Sequence, residues 1–243
     1  MSHELTSDAT RRFEKRPGDT NLHSAPQMNE YEAAAARINR DRPERVLDWG
    51  CGWGQMAHLM RRGGLEVAAF EYREGQGSGT ERLERFPEIE AQVSGDPRRL
   101  PYDDAEFDAA LSMGVLEHVQ DPDSSLDELR RVLRPGGTLY VYKLPNRYSY
   151  LEKIAKALGH PYHGAGPYDR LYTVRSAREL VEGHGFEVLS CRRANMLPLT
   201  LTGRAATALA APIWWTNRAL SRMPVVNLIA TNVELIASAP RPG

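Results

Sequence analysis

Three glycines at alternate positions, Gly50, Gly52 and Gly54, follow the acidic Asp48 in the run 46–55, VLDWGCGWGQ. Glycine permits positive φ and lets a ligand touch the backbone. In open α/β sheets, a strand-to-helix turn of this kind lies in the crevice where nucleotide-like ligands bind. A dinucleotide fingerprint would place its third glycine where Gln55 stands, so that a pyrophosphate could sit on the helix N-terminus. The Asp48 carboxylate would repel a pyrophosphate, whereas beside an ammonium or sulfonium group it is favourable. The turn therefore favours a cationic ligand over an anionic one.

Other side chains with chemical capacity follow along the chain. Glu71 ends the apolar run 66–71, with Tyr72 next to it, and Asp96 stands before Pro97 in a turn-like sequence. His118 follows another apolar run, 107–113, by a few residues, and an imidazole there can take a proton from an attacking hydroxyl. His160 and His163 flank Pro161-Tyr162 in a stretch rich in Gly, Pro and Tyr. No acidic residue stands at a useful spacing from them, so no metal is expected. With Tyr162, Tyr168 and Tyr172 they instead read as a wall of an acceptor pocket. Cys51 and Cys191 have no metal-ligand spacing and fit a reducing compartment.

The elements that position these residues alternate between strand and helix. Residues 1–27 are polar, carry both charges and read as a flexible arm; a helix then follows through Tyr31 and Ile38 to Arg42-Pro43. Residues 45–49 read as a buried strand, 55–62 as a helix stopped by Gly63-Gly64, and 66–71, 89–93, 107–113 and 138–142 as further strands. Leu126, Leu129 and Leu133 have helical spacing after Asp121-Pro122. Residues 176–183 read as a helix and 186–193 as a strand, an apolar Pro- and Ala-rich stretch covers 197–224, and a last strand is expected over 226–237. The alternation predicts right-handed crossovers and a parallel sheet covered by helices on both faces.

The run D-x-G-C-G-x-G at 48–54 resembles the first motif of class I S-adenosylmethionine-dependent methyltransferases. Further segments match that family in order: LPYDDAEFD at 100–108, VLEHV at 115–119, LRPGG at 133–137 and the segment 172–188. The likeness is to its small-molecule branch, the UbiE/UbiG-like, type 11 group, and covers about residues 45–192. It implies a Rossmann-like α/β three-layer sandwich whose seven-stranded, mostly parallel sheet has an antiparallel last strand. It also implies S-adenosylmethionine as cofactor. Asp48, Gly50, Cys51, Gly52, Gly54 and the backbone near Met113 would hold its methionine part. Glu71 would bind the ribose, Asp96 with Pro97 would sit beside the adenine, and Tyr72 is a candidate to stack on it. His118 is the candidate for chemistry, although displacement from a sulfonium draws much of its rate from alignment alone.

The composition narrows the acceptor. The 243 residues carry 31 Lys and Arg against 32 Asp and Glu, a net charge of −1, which gives no pull towards nucleic acid. The first 20 residues lack an apolar core and no run of about 18 apolar residues occurs, so a cytoplasmic protein is expected. The apolar segment 205–215, ending in Trp214-Trp215, reads as a packing or homodimer surface, or as a peripheral membrane contact. The expectation is methyl transfer to a small-molecule or lipid-like acceptor, most simply at oxygen. A non-catalytic cofactor-binding module and a protein or RNA methyltransferase are the alternatives.

Overall fold

The computed structural model describes residues 20–72, 86–94, 96, 99–159 and 166–241. After a short helix α1 (Thr20–His23), helix α2 (Ala25–Asp41) is capped by Ser24, whose hydroxyl accepts the Gln27 amide, with Pro26 in the first turn. This helix begins before the expected arm boundary at 27: Leu22, Ser24 and Gln27 are buried. A Ser-Ala-Pro start signal is what the expectation of a flexible segment passed over. The rest of that expected arm, residues 1–19, lies outside the described residues.

Strand β1 (Arg45–Trp49) carries four consecutive buried residues, as a central strand covered on both faces requires. Helix α3 (Gln55–Arg62) follows the glycine turn and stops at Gly63. Then come β2 (Glu66–Tyr72), β3 (Ala91–Ser94) and β4 (Phe107–Met113). Helix α4 (Pro122–Val132) starts with proline in its first turn, and its cap Asp121 accepts the Ser124 amide. Strand β5 (Leu133–Pro145) extends at both ends beyond the expected 138–142. Helix α5 (Tyr150–Ala157) has no counterpart in the sequence expectation. Helix α6 (Val174–Gly183), with its Thr173/Ser176 capping box, leads to β6 (Glu187–Ala194).

The stretch 197–224 contains α7 (Arg204–Ala208) and α8 (Ala210–Leu220), and α8 packs against α2. The expected last strand over 226–237 is corrected: residues 226–229 form a 3-10 turn, and β7 runs Asn232–Ser238. The Asn146 side-chain amide donates to the Leu228 and Ala230 carbonyls at 3.1 and 2.7 Å, which holds the β-prone Val-Asn-Leu-Ile segment away from the sheet.

The seven strands form one sheet in the order β3-β2-β1-β4-β5-β7-β6. Pairs among β1 to β5 are parallel, and β7 runs antiparallel to both β5 and β6. This is the expected α/β sandwich with an antiparallel last strand. One face buries Leu47, Phe107, Leu126 and Val181 beneath α4 and α6; the other buries Ile38, Met56, Met60 and Tyr140 beneath α2 and α3. Successive crossovers leave β1 in opposite directions, towards β2 and later towards β4, so a crevice opens at their C-terminal ends. The functional residues gather there.

Candidate active site

A cavity of about 660 Å³ occupies that crevice, a size that suits a small ligand with a second one beside it. Its first wall is the turn between β1 and α3. Gly50, Gly52 and Gly54 adopt φ of 73°, 54° and 81°, a region that side chains other than glycine rarely enter. A Cβ on Gly50 would lie 2.5 Å from Val115 Cγ2, so the turn packs directly against the loop after β4. The Gly50 and Cys51 amides both donate to the Phe70 carbonyl at 2.9 Å, tying the turn to β2. This tie brings Glu71 close: its Oε2 accepts the Gly52 amide at 2.6 Å, while Oε1 accepts the Tyr72 amide at 3.1 Å. Glu71 lines the cavity at this point.

Asp48, expected to face the ligand, instead stands behind the turn. It is 1% exposed, the Ala57 amide at the start of α3 donates to it, and Oδ2 has no hydrogen-bond partner among the described residues. Burial pushes its carboxyl up to about 7; the Ala57 amide opposes the shift and the neighbouring Glu71 charge adds to it. Cys51 is also buried, and desolvation with the Asp48 and Glu71 charges holds its thiol far above the ordinary range. It is inert as a nucleophile.

Gly50, Cys51, Gly52, Glu71, Tyr72, Met113 and His118 share the cavity wall. Tyr72 packs its ring edge-on against Trp49 and Phe70, and its hydroxyl accepts the Trp49 indole N–H at 3.1 Å. Gly54 caps α3 at the edge of the turn. Asp96 is exposed beyond β3, its amide donating to Ser94 Oγ, close enough for its charge to contribute to the raised Tyr72 pKa, whose main cause is burial. Tyr172 is corrected from pocket wall to core: it is 5% exposed, and its hydroxyl donates to the Leu116 carbonyl at 3.5 Å. The Tyr168 carbonyl accepts the Arg170 guanidinium at 2.9 Å. Pro97, His160, Tyr162 and His163 lie outside the described residues.

The opposite wall is one that the sequence reading had not assembled. Gly114, at φ 70°, leads from β4 into the segment carrying Glu117 and His118. His118 is half exposed; its Nδ1 lies 2.8 Å from Asp169 Oδ1, and its Nε2 lies 3.8 Å from Glu117 Oε1. Glu117 is 2% exposed, and its Oε2 has no hydrogen-bond partner among the described residues. Burial pushes Glu117 up to about 7, against the opposing pull of its own backbone amide, His118 and Lys143.

Lys143 reaches the same wall from β5, where the pairing with β7 shifts register and the Lys143 φ turns to 66°. Its Nζ donates to Gln27 Oε1 at 3.0 Å and lies 5.1 Å from the centre of the Tyr31 ring. Desolvation opposes its charge, but Tyr31, Glu30 and Glu117 outweigh it, so Lys143 stays an ammonium. Gln27 and Tyr31 come from α2, so the N-terminal helix closes this wall. Leu151 of α5 and the segment Leu197, Pro198 and Leu199 add apolar surface. The legible signal for Lys143 was a cation directly after the apolar run 139–142; for Glu117 it was a carboxylate beside the histidine already singled out.

A parallel sheet with β7 reversed, a glycine turn after β1 and an acidic residue next to the end of β2 agree with the fold that the resemblance implied. Residues 47–141 match the methyltransferase domain family. The chain is 37% identical over 99 residues to a demethylmenaquinone methyltransferase of Clavibacter sepedonicus, covering 40% of each protein. It is 33% identical over 122 residues to a ubiquinone biosynthesis O-methyltransferase of Caulobacter vibrioides, covering 46% of this chain and 48% of that one. The chain thus spans at most about half the length of these curated relatives. Among solved structures, a SAM-dependent methyltransferase of Thermotoga maritima superposes with a TM-score of 0.60 at 17% identity, over 90% of this chain and 91% of that one.

The residues present fit the family's cofactor, S-adenosylmethionine. The turn has no Cβ at Gly52, where open space faces the cavity, and the Glu71 carboxylate stands at its edge.

Proposed function

We propose that the protein methylates a small-molecule acceptor at oxygen. The observation that carries this reading is a single cavity whose first wall is the Gly50–Gly54 turn with Glu71, and whose second wall carries Glu117, His118 and Lys143. S-adenosylmethionine, when bound, supplies a methyl group on a sulfonium, which is a good leaving group. The task left to the protein is to hold the acceptor in line, exclude water and receive one proton. Glu71 binds the ribose hydroxyls and the glycine turn the amino-acid part. Met113 and Gly114 form the floor between the two walls.

His118 receives the acceptor's proton and passes it to solvent. Its half-exposed ring stands at the cavity mouth, and Asp169 at 2.8 Å from Nδ1 fixes the ring so that Nε2 faces inward towards Glu117. The apolar contributions of Leu151, Leu197 and Leu199 favour an acceptor with a hydrophobic body. Leu209 and Trp215 are 53% and 66% exposed on the far side of the 197–224 segment, and the Arg218 guanidinium lies 4.7 Å from the Trp214 ring. With this mixture the segment suits peripheral contact with a membrane or a second copy of the chain. No helix among the described residues is long and apolar enough to cross a membrane.

The test is incubation with S-adenosylmethionine and a panel of apolar hydroxyl, amine and carbon acceptors, read by mass spectrometry for methylated product and S-adenosylhomocysteine. Methylation confined to hydroxyl acceptors, reduced at least tenfold in His118→Asn, is expected. Turnover of amines alone would overturn the choice of oxygen. Cofactor binding without turnover of any acceptor would favour a binding module.

A further inference from the structure

A second cavity, of about 450 Å³, lies between α2, α8 and strands β6 and β7. It shares Met113 and Leu199 with the first cavity and none of the glycine-turn residues. Arg37 and Arg40 line it from α2, Arg192 from β6, Arg218 from α8 and Arg222 from just beyond that helix. Against these five guanidinium groups stand two carboxylates, Glu30 and Glu234. A chain of net charge −1 thus concentrates an excess of three positive charges at one concavity.

The protein's own acids leave much of that charge uncompensated. Glu30 accepts side-chain amides from Gln27 and Asn195, and Glu234 is held by Arg192 at 2.7 Å. Arg37 pairs with Asp41 at 3.2 Å. Arg40, Arg218 and Arg222 form no ion pair among the described residues. Arg218 instead lies 4.7 Å from the Trp214 ring, and Arg222 donates to the Arg218 carbonyl at 3.1 Å. Burial, then the Arg222 and Arg192 charges, depress Arg218 below its ordinary range, opposed by Glu234. The guanidinium groups therefore repel one another across the cavity, and an anion between them relieves that repulsion.

We propose that this arginine-lined cavity is a binding site for a phosphate group. A guanidinium presents its donors in a planar fork that fits phosphate oxygens two at a time, and a phosphate monoester carries close to two negative charges near neutrality. A single carboxylate would leave most of the excess unmatched. The inference is independent of the methyl-transfer reading. Apolar side chains flank the charged opening. Trp215, 66% exposed, precedes Arg218 by about one turn of α8. The Asn227 side-chain amide donates to the Ser221 carbonyl at 3.0 Å, which sets exposed Met223, Val225, Leu228 and Ile229 beside the end of that helix. A phosphate on an apolar chain, as at a lipid surface, matches both the arginines and this rim; free phosphate matches the arginines alone.

The test uses two probes: inorganic phosphate followed by calorimetry, and phosphatidylcholine vesicles with and without phosphatidic acid followed by flotation. Flotation that requires phosphatidic acid, and falls at least about tenfold in the double variant Arg218→Gln/Arg222→Gln, is expected. Arg40→Gln, an exposed substitution on the opposite wall, should weaken the same binding. The double variant Arg175→Gln/Arg178→Gln, which removes equal charge from α6, should bind as wild type does. Binding of inorganic phosphate with the same dependence on Arg40, Arg218 and Arg222 would support the site with a soluble ligand. Thermal unfolding midpoints and S-adenosylhomocysteine affinity should stay unchanged in all variants. Absence of binding to both probes, binding that survives substitution of Arg40, Arg218 and Arg222, or equal losses in the two double variants would overturn the inference and leave the methyl-transfer reading untouched.

Discussion

Asp48→Asn should make the ligand-free protein more stable above neutral pH, although it alters a residue at the centre of the fold. Burial raises the Asp48 carboxyl from 3.8 to about 7. An unfolded chain therefore releases this proton near 3.8, while the folded chain keeps it until about 7. Between those values the folded state holds the extra proton, so stability falls as pH rises through the window, and the full penalty is present above it. The gap of about 3 pH units corresponds to roughly 4 kcal/mol. Asparagine cannot ionise and keeps an oxygen for the Ala57 amide, but its NH₂ would occupy the Oδ2 position, where no partner exists. That unsatisfied donor costs about 1–3 kcal/mol, which leaves a net gain of about 1–3 kcal/mol. For a chain of this size the gain amounts to a rise in Tm of about 2–12 °C at pH about 8. Near pH 5 wild-type Asp48 is protonated, and the advantage should disappear. Thermal unfolding of both proteins across this range is the assay. Parallel Tm curves for wild type and variant would show that Asp48 is not held neutral and would refute the argument.

Glu71→Ala removes the carboxylate that receives the Gly52 amide and faces the cavity. Calorimetry should show S-adenosylhomocysteine affinity falling by about 10- to 100-fold, the scale of one or two charge-assisted hydrogen bonds. Gly50→Ala places a methyl group 2.5 Å from Val115 Cγ2 at a φ of 73° and should destabilise by about 2–4 kcal/mol in urea unfolding. Adding Val115→Ala should recover the clash but not the backbone strain. Asp169→Asn should leave cofactor affinity unchanged and lower kcat by at least tenfold, because the His118 ring loses its charged partner.

The glycine-turn wall of the cavity was legible because its geometry is local. The strand, the alternating glycines and the helix that follow one another at 45–62 need only short-range sterics, and the structure reproduces that segment element by element. Glu71 could be read from its place at a strand end. The second wall was not legible, because Glu117, Lys143, Gln27 and Asp169 meet only through the tertiary fold, from segments up to 142 residues apart. Lys143 also depends on a bulge that no local pattern announces. Helix α5 was missed although Ser149 caps it with the Glu152 amide, a pairing the sequence does contain. The error at 226–229 has a different cause: β-branched residues read as strand, but a tertiary hydrogen bond from Asn146 takes the carbonyls that a strand would pair.

The central claim, that this cavity holds S-adenosylmethionine through the glycine turn and Glu71, is tested most directly by calorimetric titration of the wild type and Glu71→Ala. Micromolar binding of S-adenosylmethionine and S-adenosylhomocysteine in the wild type, weakened by about 10- to 100-fold in the variant, is the predicted result. Equal affinities in the two proteins would contradict the assignment of Glu71, and no binding to folded wild type would contradict the account as a whole.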